Sequence, residues 1–430
     1  MKRKSRRVFL GTALGASALT MVSGCESKPK VAVTTLHDTA PDGPELKAGL
    51  IGCGGRGTGA AVNFLKAGPN LTITAMGDVF KDRIDSSREK IKQETGVNVP
   101  ESRCFVGFDA FRKVIESDVD IVLLATPPHF RAEHFAAAVQ AGKHVFMEKP
   151  VAVDPVGVRS VIETAGQAKT QDLCVVTGTQ RHHQKQYVET FRRIADGMIG
   201  DIVAARCYWN QNKLWHNERK EGWSDMEWMI RDWVNWTWLS GDHIVEQHVH
   251  NIDVINWFTG MHPVKAVGFG GRHRRPTGDQ YDFFSIDFSF ENGMHCHSMC
   301  RQIDGCVNNV SEYVVGTKGS SNCSDTIYRP DGTIAWQFSK EELKQQTNPY
   351  DQEHIDLVTA IRTGETINEA ERTAMSCMDA IMGRQSAYTG AELTRQEMTD
   401  SELRLGPTEY VMGDIGIEVT IPVPGKAPGA

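Results

Sequence analysis

The sequence predicts an α/β protein in which an N-terminal, doubly wound parallel sheet is followed by an α+β domain built on an open, largely antiparallel sheet. Three observations predict this fold class. The chain has 430 residues, which is enough for two hydrophobic cores. Short apolar strands alternate with helices over residues 47–172, as in parallel sheets. Over residues 173–390 the predicted strands are longer, and turns alone separate several of them.

The parallel sheet is predicted from the alternation of strand and helix patterns in the first domain. Ile121–Ala125 is entirely apolar, which is the character of a strand buried on both faces. The predicted strands are Lys47–Ile51, Leu71–Asp78, Ile121–Ala125 and His144–Met147. The predicted helices are a segment from about Thr58 to Ala67, Lys81–Thr95, Phe111–Ser117, His134–Ala141 and Val156–Ala168.

The second domain is predicted from longer strand patterns and two late helices. The predicted strands are Val175–Gly178, Ile202–Trp209, Val264–Gly270, Phe283–Phe290, Met294–Met299 and Glu312–Gly316. The helices Tyr350–Thr363 and Glu369–Thr389 are expected to return and pack on this sheet. Residues 25–46 lack periodicity and predict a flexible linker, whereas residues 391–430 form a tail without an assigned structure.

The start of the chain has the features of an export signal. Arg6 and Arg7 precede a short apolar run, Gly11–Met21, which is too short to span a bilayer and is typical of a twin-arginine signal peptide. We interpret residues 1–24 as this signal and Cys25 as the lipidated N-terminus of a periplasmic, membrane-anchored lipoprotein. The net charge of −7 gives no reason to expect a nucleic acid as partner.

A glycine-rich turn after the first strand predicts a dinucleotide site. Gly52-Cys53-Gly54-Gly55-Arg56-Gly57 has the spacing G-x-G-x-x-G, whose glycines permit a tight turn, the approach of a pyrophosphate and close helix packing. Asp78 ends the next strand, where a carboxylate binds the adenosine ribose and favours NAD over NADP. Lys81 and Arg83 keep NADP open as an alternative.

Three further motifs carry a resemblance to a known family. Thr126-Pro127-Pro128-His129 follows one strand, Glu148-Lys149-Pro150 follows the next, and Glu246-Gln247-His248-Val249-His250-Asn251-Ile252-Asp253 lies in the second domain. With the glycine turn, they resemble the Gfo/Idh/MocA oxidoreductases over residues 47–390. The resemblance implies a Rossmann domain, a C-terminal domain whose open sheet often mediates homo-oligomerisation, and a sugar or polyol substrate. The residues expected beside the cofactor in these motifs are Thr126, Pro127, His129, Glu148 and Lys149.

By that resemblance Lys149 is the catalytic lysine and His250 is its partner across the substrate. A lysine can exchange a proton with a hydroxyl group, and a histidine can share that proton or orient the hydroxyl. Glu246 stands where inositol dehydrogenases of the family carry Asp, so the carboxylate here has a longer reach. Asp253 matches a family aspartate near the substrate or the histidine. The histidines of this region meet no established metal-binding spacing, and no metal site is predicted.

Most of the tryptophans lie between Tyr208 and Trp257. Aromatic side chains facing a nucleotide cleft suit stacking on sugar rings, and packing or interface roles are an equal alternative. We therefore expect a substrate wall that includes part of this region. The candidate substrate residues are Arg181, Trp209, Asp232, Trp233 and Asp253.

Three functions compete at this point. The leading hypothesis is an exported NAD(P)-dependent oxidoreductase that acts on a sugar or polyol with a tightly bound cofactor, which must be reoxidised in place because nucleotides are scarce outside the cytoplasm. The alternative enzyme is a related NAD-dependent glycosidase that oxidises C3 transiently and eliminates the aglycone. Lys149 argues against the α-N-acetylgalactosaminidase branch, which lacks this lysine. A binding protein without activity would be expected to have lost Lys149 or His250.

Overall fold

The computed structural model describes residues 36–417 and 419–426, so the twin-arginine motif and Cys25 lie outside the described residues. The first sheet is built from β1 (Leu46–Ile51), β2 (Leu71–Asp78), β3 (Cys104–Val106), β4 (Ile121–Leu124), β5 (His144–Met147) and β6 (Val175–Thr177). The helices of this part are α1 (Gly55–Lys66), α2 (Lys81–Thr95), α3 (Ala110–Ile115), α4 (Pro128–Gln140) and α5 (Pro155–Thr170).

The first sheet has the order β3-β2-β1-β4-β5-β6, and all its neighbouring strands are parallel. The chain winds outward in one direction from β1 to β3 and in the other from β4 to β6. The winding therefore reverses between β1 and β4, which opens a crevice at the carboxyl ends of these two strands. Every residue of β4 is buried, as its wholly apolar sequence predicts.

The structure corrects one strand assignment. Val175–Gly178 was expected in the open sheet of the second domain, but β6 pairs in parallel with β5 and forms the edge of the first sheet. The parallel sheet therefore extends past residue 172. Helix α4 also begins earlier than its periodicity predicts, at Pro128, because proline is compatible with the first turn of a helix.

The second part of the chain begins with helix α6 (Lys185–Ala195) and alternates between helices and longer strands. The next elements are β7 (Ile202–Gln211), α7 (Asp225–Arg231), α8 (Thr237–Ser240), α9 (His243–Glu246), α10 (Val249–Thr259), β8 (Lys265–Gly271), β9 (Phe283–Ser289), β10 (His295–Gln302) and β11 (Asn309–Gly316). The last elements are β12 (Gly319–Ser321), β13 (Thr326–Tyr328), β14 (Ile334–Gln337), α11 (Lys340–Gln345), α12 (Pro349–Thr363), α13 (Ala370–Thr389), β15 (Leu393–Thr394) and α14 (Arg395–Asp400).

The second sheet has nine strands in the order β14-β13-β12-β11-β7-β10-β9-β8-β15. The pair β7 and β10 is parallel, and the other neighbouring pairs are antiparallel. One face is buried by alternating residues, such as Ala266 and Gly268 of β8, against helix α13. The predicted fold class, a Rossmann domain with an open and largely antiparallel second sheet, is confirmed.

The two late helices pack in different places. Helix α13 lies on the second sheet, as predicted. Helix α12 does not, because its buried face, including Ile355, Leu357 and Val358, joins the core that surrounds Leu50 and Phe64 on one face of the parallel sheet. The expectation that Tyr350–Thr363 packs on the second sheet was therefore wrong. Periodicity predicted the helix but not its partner.

A third, smaller core joins segments that are far apart in the chain. Phe80 and Phe130 of the first domain pack against Ile230 and Trp238 of the tryptophan-rich region. Tyr410 of the tail packs against the same cluster. The tail, which the sequence left unassigned, thus returns to the first domain after adding β15 to the edge of the second sheet. Among the described residues, no helix is long and apolar enough to cross a membrane.

Candidate functional site

The glycine turn is shaped as a dinucleotide cradle. Gly52 has φ +93°, and a Cβ there would lie 2.6 Å from the backbone of Ala125 and Thr126. A Cβ on Gly57 would come within 1.8 Å of the Gly52 carbonyl oxygen, so both positions require glycine. Gly54 and Gly55 instead face open space at the start of α1, where unpaired N–H groups attract phosphate. These residues fit the pyrophosphate of a dinucleotide.

A cavity of about 620 Å³ extends from this turn along the ends of β2, β3 and β4. Asp78 lines it and accepts hydrogen bonds from the backbone N–H groups of Cys53 (2.7 Å) and Phe80 (2.9 Å). Burial raises the pKa of Asp78 despite these bonds. The carboxylate is thus held in a fixed orientation at the cavity wall. Of the predicted cofactor residues, those that line the cavity are Gly52, Gly54, Gly55, Arg56, Gly57, Asp78, Thr126 and Pro127.

The predicted cofactor residues His129, Glu148 and Lys149 do not line this cavity, and His129 instead contacts the C-terminal tail. Its Nε2 atom shares a hydrogen bond of 2.7 Å with the Tyr410 hydroxyl, and its ring packs against Trp238 at 5.0 Å between centroids. Burial lowers the pKa of His129 to about 4, so the ring is neutral at physiological pH. His129 anchors the C-terminal tail, and Tyr410 lines the cavity in its place.

Glu148 lies behind the glycine turn. Its carboxylate accepts a hydrogen bond from Arg56 Nε, and Arg56 Nη2 also lies 3.5 Å from Glu353 of α12. Arg131 of α4 donates to the carbonyl oxygens of Glu148 (3.1 Å) and Pro150 (2.7 Å). These contacts clamp the backbone on both sides of Lys149. Sequence reasoning missed Arg131, because an arginine inside an ordinary helix has no motif around it.

Lys149, Glu246 and His250 come together although two of them lie about a hundred residues from the first. Lys149 Nζ donates to the Glu246 carbonyl oxygen and lies 3.3 Å from Glu246 Oε1. Burial, and then the charges of Lys149 and Arg181, hold the pKa of His250 well below its ordinary value. The site therefore combines an ammonium group with a neutral imidazole that can accept a proton.

The predicted substrate residues Arg181 and Trp209 lie behind this group. Arg181 is buried and pairs with Glu312 at 3.2 Å, and its guanidinium lies 5.6 Å from the Trp209 ring centroid. The Trp209 ring stacks on the His250 ring with centroids 5.7 Å apart and an angle of 21°. Trp209 therefore fixes the orientation of His250, and Arg181 supplies a fixed positive charge next to it.

Two predicted substrate carboxylates are occupied by internal bonds. Asp253 lies 2.6 Å from His182 Nε2, accepts a bond of 2.9 Å from the Ser376 hydroxyl and pairs with Arg372. Burial acts to raise the pKa of Asp253, but these contacts lower it to about 2. Asp232 is fully buried and accepts a bond of 2.7 Å from the Asn217 backbone. Both carboxylates are buried and bonded to other groups of the protein, and their contact with a substrate stays a prediction.

Trp233 is the remaining predicted substrate residue. It lines the large cavity together with Trp215, and the two rings meet edge to face at 6.1 Å. That cavity wall faces Asp78 and the glycine turn, whereas Lys149 and His250 are not among the described residues that line it. The described residues contain no cluster of three or more histidine, cysteine or acidic side chains that could hold a metal ion.

A glycine cradle at the switch point of a Rossmann sheet, next to a second domain that completes a polar site, defines a nucleotide-dependent oxidoreductase fold. Residues 46–183 match the model of an oxidoreductase family with an NAD-binding Rossmann fold, GFO_IDH_MocA. Residues 187–322 match the GFO/IDH/MocA C-terminal domain. The chain belongs to the Gfo/Idh/MocA oxidoreductase family, as its motifs predicted.

Similar proteins include relatives in sequence and solved structures of the same fold. A glycosyl hydrolase family 109 protein of Streptomyces coelicolor is 25% identical over 212 residues, which are 46% of this chain and 43% of that protein. The alignment thus spans less than half of that relative. A solved structure of scyllo-inositol dehydrogenase from Lactobacillus casei with bound NAD(H) and scyllo-inositol shares 21% identity, with a TM-score of 0.62 over 82% of this chain and 99% of that chain.

An aldose-aldose oxidoreductase from Caulobacter crescentus, solved with glycerol, has a TM-score of 0.63 and 17% identity. The match covers 81% of this chain and 99% of that chain. At these identities the two solved structures establish a common fold and leave the substrate of this chain to be inferred from its own residues.

Proposed function

We propose that the protein is an NAD-dependent oxidoreductase that converts a secondary hydroxyl group of a sugar or polyol into a carbonyl group, and the reverse. The observation that carries this proposal is the junction of Lys149 with Glu246 and a neutral His250 at the ends of the parallel strands. When bound, the cofactor would supply the hydride acceptor for the carbon that bears the hydroxyl. NAD is favoured over NADP because a fixed Asp78 carboxylate would repel a ribose 2′-phosphate.

In this proposal Lys149, His250 and Arg131 have separate roles. Lys149, as an ammonium group, donates a hydrogen bond to the substrate oxygen, and the hydroxyl proton passes to the neutral His250 as the carbonyl forms. His250 is neutral and accepts or relays that proton, while the Trp209 ring holds the imidazole in place. Arg131 acts as a positioning residue, because it holds the backbone carbonyls on either side of Lys149.

We also propose that the cofactor is tightly bound and is reoxidised in place. The support is the export motif at Arg6-Arg7, since nucleotides are scarce outside the cytoplasm, together with the fold shared with an enzyme that is named an aldose-aldose oxidoreductase. Oxidation of one sugar would then be balanced by reduction of a second carbohydrate or by re-reduction of the same molecule.

The test is a screen of sugars and polyols against the protein with NAD and with NADP, read by nicotinamide fluorescence. We expect one group of substrates to reduce NAD. The Lys149→Met variant should still bind NAD but lose turnover by at least about 10²-fold, the usual contribution of a positioned acid or base. Lys90→Met, on the exposed face of α2, is the matched control. Full turnover by Lys149→Met would contradict the assignment.

A second candidate function is an NAD-dependent glycosidase, which is favoured by the similarity to proteins named glycosyl hydrolase family 109. Transient oxidation of C3 would acidify the proton on C2, and loss of this proton would expel the aglycone. Water would then add at C1, and reduction of the C3 ketone would regenerate NAD. Incubation with p-nitrophenyl glycosides and catalytic NAD distinguishes the two functions. Release of p-nitrophenol without net reduction of NAD would support the glycosidase and displace the first proposal.

A further inference from the structure

We propose that the tryptophan-rich segment, defined as residues 212–241, is a clasp that binds the adenosine half of the cofactor. This inference rests on the proposed binding of NAD and assigns the segment a role that differs from the expected stacking on a sugar. The segment belongs to the second domain but contributes one wall of the nucleotide cavity of the first. The residues that form this wall are Trp215, Asn217, Ile230, Arg231 and Trp233.

Other residues that line the cavity identify which half of a dinucleotide the clasp would face. They include Asp78 at the end of β2, Phe80 just after it and Phe108 after β3. In a sheet with this strand order, the carboxyl end of β2 is the position of the adenosine ribose. The candidate catalytic residue Lys149 follows β5, on the other side of the switch point. The tryptophan-rich segment therefore faces the end of the cleft that is remote from the chemistry.

One ion pair joins the tryptophan-rich segment to helix α2 of the first domain. Both Nη atoms of Arg231 donate to the two carboxylate oxygens of Asp82, each at 3.0 Å, and Asp82 lies in the first turn of α2. The Arg231 guanidinium also lies over the Phe80 ring at 3.8 Å from its centroid. A bidentate pair fixes orientation as well as distance. Arg231 thus links the two domains at the adenosine end.

The segment has its own internal structure, which presents its aromatic rings in fixed positions. The buried Asp232 carboxylate accepts bonds from the Asn217 backbone (2.7 Å) and from Asn235 Nδ2 (3.0 Å). The Trp228 indole donates to the Asn217 carbonyl at 3.0 Å. A buried carboxylate with several donors organises a loop strongly, because it would be costly to leave unpaired. The wall is therefore preorganised.

The chemistry of the lining residues suits a purine. Phe108, Trp215 and Trp233 line the cavity and keep part of their ring surface exposed, and such rings gain from contact with a flat aromatic face. Base stacking on aromatic side chains contributes about 1–3 kcal/mol per base in single-strand binding proteins. Contact between this preorganised wall and the adenosine would also slow dissociation of the cofactor, in line with the proposed tight binding.

The test measures binding of ADP-ribose and of NAD to the full-length protein by calorimetry. Trp233→Leu should weaken both ligands about tenfold or more, and Arg231→Gln should weaken both about threefold. Trp233→Phe, which retains an aromatic face, should restore most of the loss. The matched controls are Trp336→Leu in β14 and Arg219→Gln, whose pair with Asp225 stays within the segment.

Hydrogen exchange supplies a second measurement that is independent of these variants. ADP-ribose should protect the amides of residues 215–236, whereas nicotinamide mononucleotide, which lacks adenosine, should not. Equal protection by both ligands would overturn the clasp. So would variants that leave nucleotide binding unchanged but raise the KM for the sugar. A wild-type protein that binds neither ADP-ribose nor NAD would refute the proposed function itself. A wild-type protein that binds both, with Trp233 and Arg231 variants that bind equally well, would refute only the clasp.

Discussion

His183 shows how partners distant in sequence decide the state of one side chain. Its Nδ1 atom lies 2.6 Å from Asp356 of α12, and its Nε2 atom lies 3.5 Å from Glu369, next to the start of α13. Burial acts to lower the pKa of His183, but the charges and hydrogen bonds of Glu369 and Asp356 raise it to about 10. His183 is therefore a buried cation that ties two helices to the end of the parallel sheet.

This raised pKa predicts a pH-dependent stability. The unfolded chain has an ordinary histidine pKa of about 6.5, so the stabilisation is complete below about pH 6.5 and is lost as the pH rises toward about 10. We expect the difference in free energy of unfolding between the wild type and His183→Asn to shrink over this range by a few kcal/mol, as measured by urea unfolding. His295→Asn, at an exposed pair with Asp287, is the control. A difference that does not change with pH would contradict the prediction.

The residue scale also shows where motif reasoning succeeds. Gly52 and Gly57 could be placed from sequence because their backbone conformation and close packing exclude any side chain. Asp253 and Asp232 could not, because a carboxylate in a motif does not reveal whether its partners are substrate hydroxyls or protein donors. Their partners lie on other elements and are known only once the chain is folded.

At the scale of elements, the tail is the least predictable part of the described chain. Its residues 401–417 form no long helix or strand, yet Tyr410 reaches His129 and packs against Phe130 at 5.2 Å between ring centroids. The tail is thus held by side chains instead of backbone pairing. Such a segment has no periodicity that a sequence analysis could detect.

Removal of the hydrogen bond between Tyr410 and His129 should lower the stability of the protein. Tyr410→Phe keeps the ring but leaves the buried His129 Nε2 atom unpaired, so we expect the free energy of unfolding to fall by about 1–2 kcal/mol. Denaturant titration provides the measurement. Tyr328→Phe, at a hydroxyl without a hydrogen bond among the described residues, should change stability by less than about 0.5 kcal/mol. Equal effects of the two variants would show that the tail bond is not stabilising.

At the scale of the whole molecule, part of the outer face of the second sheet, on β8 and β9, is apolar. Phe269 of β8 is 68% exposed, and Val267 and Phe283 extend the same face. Exposed apolar surface of this kind marks an interaction site. We propose that it joins copies of this chain into a homo-oligomer, as the family resemblance implied.

Light scattering coupled to gel filtration tests the oligomer. Phe269→Glu should reduce the molar mass, because it places a charge in the proposed interface. Leu343→Glu replaces an exposed apolar residue of α11, away from this face, and should leave the mass unchanged. A wild-type protein that is already a monomer would exclude the proposal.

Export also concerns the whole molecule. It is a proposal, since the twin-arginine motif and Cys25 lie outside the described residues. Replacement of Arg6 and Arg7 by lysine should retain the protein in the cytoplasm, and Cys25→Ala should release it from the membrane fraction into the soluble periplasm. Cell fractionation followed by immunoblotting measures both outcomes, with Lys28→Gln as the control. A Cys25→Ala protein that stays in the membrane fraction would exclude lipid anchoring at this residue.

The sequence by itself determined the parallel sheet, the glycine cradle with Asp78, and the family to which the chain belongs. These features depend on neighbouring residues, since turn conformation and burial period are local properties of the chain. Only the tertiary structure decided that α12 covers the first sheet, that Asp232 and Asp253 are bonded internally, and that Trp233 faces the nucleotide cavity. Such facts depend on which distant segments meet, and that choice is made by packing and by the need to pair every buried charge.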